Sequence, residues 1–359
     1  MKIRKSSPGP SSEGQRGLPK MTIEKRSLRV TPWDAQGSLT PAQRLLSDFV
    51  TDSYEHHHRP LDGRNDTVLV NGAATRRCPH CGSRTFFADG TSPAGVNLFR
   101  CNRCGRQFTP ATGTALESRG LPAAELCAVV RGLLGFQSIS SVARATVHTR
   151  KTVRYVLERV FAVLRGVQDG VTLGRGAWID ETYYPVRERD KLYGPGGKSV
   201  GGHNNCDCIC VGVGGRASVF LHAGRGDQNA ATLKRVYGPH LERGCVLYHD
   251  ANAAHGPLVR SLGLKDAKVF GYAEHAKPEG ENVLAPVDRR CDTVQRWLSS
   301  HRGFDRAYLQ DWLNLLWVVE NAGDDPLEQT EYIINLLINT PARTRSRKPS
   351  RRRENEGEP

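Results

Sequence analysis

A chain of 359 residues exceeds what one hydrophobic core usually organises, so two or three domains are expected. With 38% hydrophobic and 25% charged residues, its composition is typical of a globular protein and excludes wholesale disorder, and no stretch approaches the roughly 20 apolar residues of a membrane span. The N-terminal segment MKIRKSSPGPSSEGQRG has no apolar run behind its charges, which favours a cytoplasmic protein over a secreted or membrane-bound one.

The formal net charge of +14 indicates a polyanionic partner, and its distribution divides the chain. Residues 71–177 carry fifteen Lys and Arg against five Asp and Glu, whereas residues 178–340 carry eighteen against twenty-one. A basic front half is suited to a phosphate backbone, and a slightly acidic back half is suited to metal ions. Both ends of the chain are basic as well, although such tails often serve solubility alone.

The two ends of the chain have the composition of unfolded segments. Residues 1–38, rich in Ser, Pro, Gly and Lys, predict a disordered basic arm, and residues 341–359 predict a disordered basic tail. Residues 39–72 predict a helix and a connector, because Thr40 can cap a helix that has Pro41 in its first turn.

Residues 73–115 contain two Cys-x2-Cys pairs separated by nineteen residues, and three short segments that predict strands. A Cys-x2-Cys turn directs two thiolates at one ion, and two such turns at this spacing are typical of a tetrahedral structural zinc site. We therefore expect a zinc ribbon; two disulfides are the alternative, which the lack of a secretory signal disfavours. The predicted zinc ligands are Cys78, Cys81, Cys101 and Cys104.

Residues 116–170 change to a helical period and predict three helices. A short helix over 138–145 and a longer one that begins near 150 are joined by a tight turn. This is the layout of a helix-turn-helix, whose second helix enters the major groove of DNA by its N-terminal end. Arg150, Lys151 and Arg154 would then contact DNA; a plain helical linker is the alternative.

Residues 175–325 change to the period of strands. Strands are predicted over 177–186, 206–214, 218–224, 245–250 and 267–273. Helices are predicted over 227–241, between the last two strands as far as Leu262, and over 288–300 and 306–321. Three strands in succession, followed by alternating helices and strands, are typical of a ribonuclease-H-like mixed five-stranded sheet flanked by helices. The whole chain is thus predicted to be an α+β multidomain protein.

Three aspartates in this region are candidate metal ligands. Asp180 lies within an apolar strand and Asp250 directly follows one, positions where a carboxylate is costly unless a cation neutralises it. Asp288, at the start of the next helix, is the third candidate. Converging carboxylates suit Mg²⁺ or Mn²⁺, and a two-ion site supports in-line attack on phosphorus. The alternatives are ordinary capping or salt-bridged roles.

The chain resembles bacterial insertion-sequence transposases of the DDE type, which join a zinc ribbon and a helical DNA-binding region to a ribonuclease-H-like core. The stretches that carry the resemblance are CPHCG, CNRCGRQFTPATGTAL, WIDETYY, LYHDANAAH and VDRRCDTVQRWLSSHRGFDRAYLQDWL. The resemblance implies that Asp180, Asp250 and Asp288 form the catalytic triad. Asp288 stands where the family usually has Glu or Asn, and Gln295 stands where it has Lys seven residues later. Glu274, Glu281 and Asp292 are alternative third ligands.

The resemblance implies a transposase that binds double-stranded DNA at element ends and performs Mg²⁺- or Mn²⁺-dependent cleavage and strand transfer. Pairing two ends implies a homodimer or a larger assembly on DNA, in the cytoplasm and associated with the nucleoid. Lys198, in a glycine-rich hairpin, and His255 are further residues that could contact DNA or assist a leaving group. A domesticated or inactive DNA-binding protein and a simple metal-dependent nuclease are the alternative functions.

Overall fold

The computed structural model describes residues 65–117, 121, 123–215, 217–275, 277–278 and 280–341. The predicted arm at 1–38, the helix expected after Thr40 and nearly all of the predicted tail at 341–359 lie outside these residues. Within the described part of the chain, no helix is both long enough and apolar enough to cross a membrane.

Ten helices and eight strands make up the described regions. The helices are α1 (Asn65–Asn71), α2 (Ala123–Leu134), α3 (Ile139–Ala145), α4 (Arg150–Leu164), α5 (Ala230–Tyr237), α6 (Gly256–Leu262), α7 (Gly271–His275), α8 (Ala285–Ser300), α9 (Leu309–Asn321) and α10 (Pro326–Asn339). The strands are β1 (Phe86–Thr91), β2 (Asn97–Cys101), β3 (Gln107–Phe108), β4 (Gly176–Pro185), β5 (Cys206–Gly214), β6 (Ala217–Arg225), β7 (Val246–Asp250) and β8 (Lys265–Val269).

The first sheet is small and antiparallel, in the order β1-β2-β3. Its core consists of two buried or partly buried cysteine pairs and three aromatic rings, those of Phe86, Phe99 and Phe108, whose centroids lie 5.4 to 5.7 Å apart. So few apolar side chains bury little surface, and a domain of this size usually needs a further cross-link.

The second sheet has five strands in the order β6-β5-β4-β7-β8. Strands β4, β5 and β6 form an antiparallel meander, and β7 and β8 run parallel to β4. The predicted mixed five-stranded sheet flanked by helices is therefore confirmed, and its strand order is consistent with a ribonuclease-H-like core. Helices α8 and α9 cover one face of the sheet, and α5 covers the other.

Several predicted boundaries are wrong by a few residues, and for two of them the structure shows the local reason. The strand expected over 267–273 ends at Val269, because Val269 pairs with Asp250, the last residue of β7, and no partner remains beyond it. The helix expected from 227 begins at Ala230, because the side chain of Asn229 accepts a hydrogen bond from Thr232 N and caps it there.

Helix α10 was not predicted, and it joins the helical region to the sheet. It packs against α2 and α4, and α9 lies between α4 and the sheet. One continuous hydrophobic cluster consequently includes Val129 of α2, Val156 of α4, Trp297 of α8 and Leu337 of α10. The helices around the predicted helix-turn-helix thus share a core with the five-stranded sheet.

Candidate metal centres

The two Cys-x2-Cys turns bring four thiols together at one end of the small sheet. Cys78 Sγ lies 3.7 Å from Cys104 Sγ, and Cys81 Sγ lies 3.6 Å from Cys101 Sγ. A tetrahedral zinc ion with Zn–S bonds of about 2.3 Å places its sulfurs about 3.8 Å apart. Gly82 follows the first pair with a φ of +74°, a left-handed conformation that favours glycine. The donor set and its spacing therefore fit zinc.

The acidity of these thiols also fits a bound cation. Backbone hydrogen bonds, first from Cys104 and also from Arg103, lower the pKa of Cys101 to about 6. Despite a backbone hydrogen bond at Ser83, burial and the three neighbouring sulfurs raise the pKa of Cys81 to about 11. One thiol ionises readily while another resists, because hydrogen bonds from its neighbours favour the thiolate of Cys101 and the protonated thiol of Cys81. A dication favours the thiolate form of every thiol that coordinates it.

Two of the predicted carboxylates lie at the same level of the five-stranded sheet. In the parallel pair β4 and β7, Trp178 lies opposite Tyr248, and their rings stack with centroids 4.8 Å apart. Side chains alternate along a strand, so Asp180 and Asp250, two residues further on, project from the same face as these rings. The two aspartates are therefore not on opposite faces of the sheet.

Helix α8 presents the third aspartate to β4. Three of its residues at positions i, i+3 and i+7 share one face: Asp288, Cys291 and Gln295. The Cys291 thiol lies 3.9 Å from Asp180 Oδ2, and Gln295 Nε2 donates to Thr182 Oγ1 at 2.7 Å. The face that carries Asp288 consequently points at the strand that carries Asp180.

The other two aspartates contribute to the electrostatic environment of Asp180. Burial and then the charges of Glu181, Asp250 and Asp288 raise the pKa of Asp180 to about 7, although Glu181 N donates a hydrogen bond to its Oδ1 at 2.9 Å. A carboxyl group with this pKa is half protonated at neutral pH. Carboxylate oxygens that repel one another in a half-buried position fit a hard dication such as Mg²⁺ or Mn²⁺.

Two other groups of possible metal ligands lie closer together than the three aspartates do. Among the described residues, two groups of possible ligands have all their ligand atoms within 4.8 Å of one another: the four cysteines, and His249 with Asp250 and His255. The three aspartates do not form a third group at this distance. The Asp250 carboxylate instead lies 3.4 Å from His255 Nδ1, at the end of β7.

The alternative third ligands differ in their surroundings. Glu274 is buried and accepts hydrogen bonds from Lys277 Nζ at 2.6 Å and Val283 N at 3.0 Å, so its carboxylate holds the segment before α8. Glu281 and Asp292 are exposed. Asp288 itself accepts a hydrogen bond from Asn282 Nδ2 at 2.9 Å.

The predicted DNA contacts lie on the surface. Arg150, Lys151 and Arg154 are exposed in the first turns of α4, which Thr149 caps by accepting from Thr152 N at 3.2 Å. Lys198 is exposed in the connection between β4 and β5, which leaves the sheet at the carboxyl end of β4. Asp250 ends the parallel strand β7 at the same edge.

Sequence reasoning missed a buried polar network on the other face of the sheet. His255, a candidate for DNA contact or for assisting a leaving group, is fully buried, and its Nε2 lies 3.2 Å from Glu181 Oε1. The Tyr237 hydroxyl donates to the same carboxylate oxygen at 2.9 Å, and His249 is 2% exposed. Glu181 and His249 each adjoin a predicted catalytic aspartate, so strand alternation would have placed both on this opposite face.

Comparison with known proteins gives a coarse structural likeness. No protein-family model matches the chain, and no curated protein matches it. Among solved structures, a pre-cleavage Mos1 transpososome is 15% identical, with 61% of this chain and 78% of that chain covered and a TM-score of 0.26. The Mos1 mariner paired end complex with Mn is 16% identical, with 62% and 79% covered and a TM-score of 0.26. At these scores the fold assignment rests on the strand order of this chain.

Proposed function

We propose that the protein is a DDE-type DNA transposase of the bacterial insertion-sequence kind. It binds element ends and performs metal-dependent phosphodiester cleavage and strand transfer. The observation that carries the proposal is the position of Asp180, on a central strand level with Asp250 and facing the helix that carries Asp288. Without a cation, this arrangement leaves a half-buried carboxyl group with a pKa of about 7.

In this reaction the three aspartates would serve as metal ligands. Asp180 and Asp250 would hold a divalent ion, with Asp288 as the third ligand. A pair of Mg²⁺ or Mn²⁺ ions supplies activation of a water or 3′-hydroxyl and stabilisation of the leaving oxygen. The side chains themselves fix where the phosphate binds. Gln295 donates a hydrogen bond to Thr182 and lies next to this site. The family that this chain resembles has a lysine at the position of Gln295.

The front half of the protein would supply DNA binding. In this proposal, zinc on Cys78, Cys81, Cys101 and Cys104 stabilises a ribbon. Arg150, Lys151 and Arg154 contact backbone phosphates at the N-terminus of α4, and the exposed Lys198 contacts phosphate near the carboxylates. Strand transfer requires two paired ends, so the working form would be a dimer or a larger assembly.

The principal alternative is an inactive DNA-binding protein derived from such an enzyme. Two observations favour it: Asp288 is shorter than the usual glutamate, and the three aspartates do not converge within 4.8 Å. A metal-dependent nuclease without a joining step is a further alternative. Inverted repeats flanking the coding region would favour the transposase over both.

The test is a cleavage and strand-transfer assay with the full chain, Mn²⁺ and supercoiled DNA that carries the candidate ends. Wild-type protein is expected to nick the ends and to join them to target DNA, and Asp180→Asn is expected to do neither. Asp324→Asn, an exposed aspartate between α9 and α10, is the matched control and should retain activity. Unchanged DNA with every protein would contradict the proposal, and cleavage without joined products would identify a nuclease.

A further inference from the structure

We propose that His249, Asp250 and His255 bind a transition-metal dication at a site separate from both the cysteine cluster and the Asp180 carboxylate. The three residues come from one short segment, the end of β7 and the turn that follows it. The site shares Asp250 with the proposed active site, but its binding can be measured without DNA.

The geometry of the two imidazoles is that of converging ligands. His249 Nδ1 lies 3.0 Å from His255 Nδ1, and the two rings are nearly perpendicular, at 89°, with centroids 4.8 Å apart. Asp250 Oδ1 lies 3.4 Å from His255 Nδ1, and the backbone carbonyl of Asp250 also contacts His249 Nδ1. Two nitrogens and one carboxylate oxygen therefore lie within 4.8 Å of one another.

The outer nitrogens of both histidines are held by carboxylates. His249 Nε2 lies 3.1 Å from Asp266 Oδ1, and His255 Nε2 lies 3.2 Å from Glu181 Oε1. A carboxylate only accepts hydrogen bonds here, so each Nε2 carries a proton. In the metal-bound form each Nδ1 would present its lone pair to the ion, and the contact of His249 Nδ1 with the Asp250 carbonyl would open. Carboxylate–histidine pairs of this kind orient ligands towards metal ions.

In that form the two Nδ1 lone pairs, 3.0 Å apart, need a positive charge between them. Both side chains are buried, His249 to 2% exposure and His255 to 0%, so solvent does not supply it. A bound dication or an added proton could. The surrounding carboxylates of Glu181, Asp250 and Asp266 place considerable negative charge around the pair, which favours a dication over a single proton.

The ligand types indicate which ions bind. Two imidazole nitrogens and one carboxylate suit Zn²⁺, Co²⁺ or Mn²⁺ better than Mg²⁺, which prefers oxygen ligands. Three protein ligands leave a position open to water, as in catalytic rather than structural sites. The half-buried carboxylate of Asp250 is the part of the site nearest to solvent.

The test is a titration of metal-free full-length protein with Co²⁺, followed by counting of bound ions after equilibrium dialysis. Wild-type protein is expected to bind one ion with intense thiolate absorption, at the cysteines, and a further ion with weaker bands typical of nitrogen and oxygen ligands. The wild-type spectrum by itself therefore tests the proposal, even if a variant fails to fold.

Substitutions assign the second ion. His255→Gln and His249→Gln should each weaken it at least 100-fold, and Glu181→Gln should weaken it about 10- to 100-fold through loss of orientation. His222→Gln, a half-buried histidine paired with Asp207, is the matched control and should bind both ions. Asp180→Asn should also keep the ion, which separates this site from the other carboxylates.

Two results would overturn the proposal. One is that wild-type protein binds a single ion with only thiolate absorption, which would mean that a shared proton and not a metal ion lies between the histidines. The other is that the second ion still binds after both histidine substitutions. Failure of DNA cleavage would not bear on it, because the titration contains no DNA. Conversely, a wild-type protein that cleaves DNA but binds no second ion would contradict this site while leaving the proposed function in place.

Discussion

The cysteine cluster and the edge of the large sheet that carries Asp180, Asp250 and the histidine pair are two candidate metal sites of opposite design. The cysteine cluster rests on a core of three phenylalanines, so the ion would hold the fold together. The other site is built on a sheet whose core includes fully buried Ile179 and Leu247, so the fold holds the charges together. Removing metal should therefore unfold the first region and leave the second folded but electrostatically strained.

Loss of one cysteine ligand should have the largest effect on the protein. Cys101→Ser should unfold residues 73–115, because structural zinc contributes about 10–16 kcal/mol to the folding of small zinc domains. Limited proteolysis and far-UV circular dichroism should show the ribbon cleaved rapidly while the five-stranded sheet persists. Cys206→Ser, at the start of β5, is the control and should leave both regions intact. A ribbon that stays protected in Cys101→Ser would contradict the contrast.

The next effect concerns the pH dependence of stability when neither magnesium nor manganese is added. The pKa of Asp180 is about 7 in the folded protein but 3.8 in the unfolded chain. Between these values the folded state holds a proton that the unfolded state has lost, so stability falls as pH rises from about 4 to about 7.

Asp180→Asn resembles the protonated side chain at every pH. It should therefore be more stable than wild type at pH 8, by roughly 2 to 4 kcal/mol, and equally stable near pH 4. Urea unfolding at both pH values measures this difference, with Asp324→Asn as the control. Added Mn²⁺ should stabilise wild type at pH 8 and reduce the difference. A variant that is less stable than wild type at pH 8 would show that Asp180 is not under electrostatic strain.

The contrast between the two sites also explains what the sequence could predict. The spacing of the four cysteines in two turns is enough to predict that their sulfurs lie together. Once the strand order is known, the alternation of side chains along β4 also predicts that Asp180 lies level with Asp250. The rotation of the Asp250 carboxylate towards His255 depends on the turn after β7. Sequence patterns carry no signal for such a side-chain orientation.

Other features escaped prediction for reasons of packing. Helix α10 has an amphipathic pattern with buried Ile333 and Leu337, but its partners, α2 and α4, lie about 200 residues earlier in the chain. The end of β8 at Val269 was likewise set by where its neighbour ends. Both depend on contacts between distant segments, which local periodicity does not reveal.

Substitutions on α4 should have a smaller effect, on DNA affinity alone, if the N-terminal half binds DNA and the C-terminal half is catalytic. Lys151→Ala and Arg154→Ala should each reduce affinity for DNA several-fold and lower the slope of log affinity against log salt by about one, as expected for loss of one phosphate contact. Lys234→Ala, an equally exposed lysine on α5, should leave both unchanged. Fluorescence anisotropy at several salt concentrations measures these slopes. An unchanged slope in both α4 variants would indicate that this helix does not contact DNA.

Lengthening the side chain of the third aspartate, Asp288, should have the smallest effect. Asp288→Glu adds one methylene on the α8 face that already directs Cys291 at Asp180, so its oxygens would approach the Asp180 carboxylate more closely. If Asp288 is the third ligand, the longer side chain should raise Mn²⁺-dependent cleavage a few-fold and lower the Mn²⁺ concentration that is required. Asp292→Glu, an exposed position one turn further along, lengthens a carboxylate without bringing it nearer and should change neither. Equal activity of Asp288→Glu, Asp288→Ala and wild type would exclude Asp288 from the metal site, and the edge of the sheet would then depend on Asp180, Asp250 and the histidine pair alone.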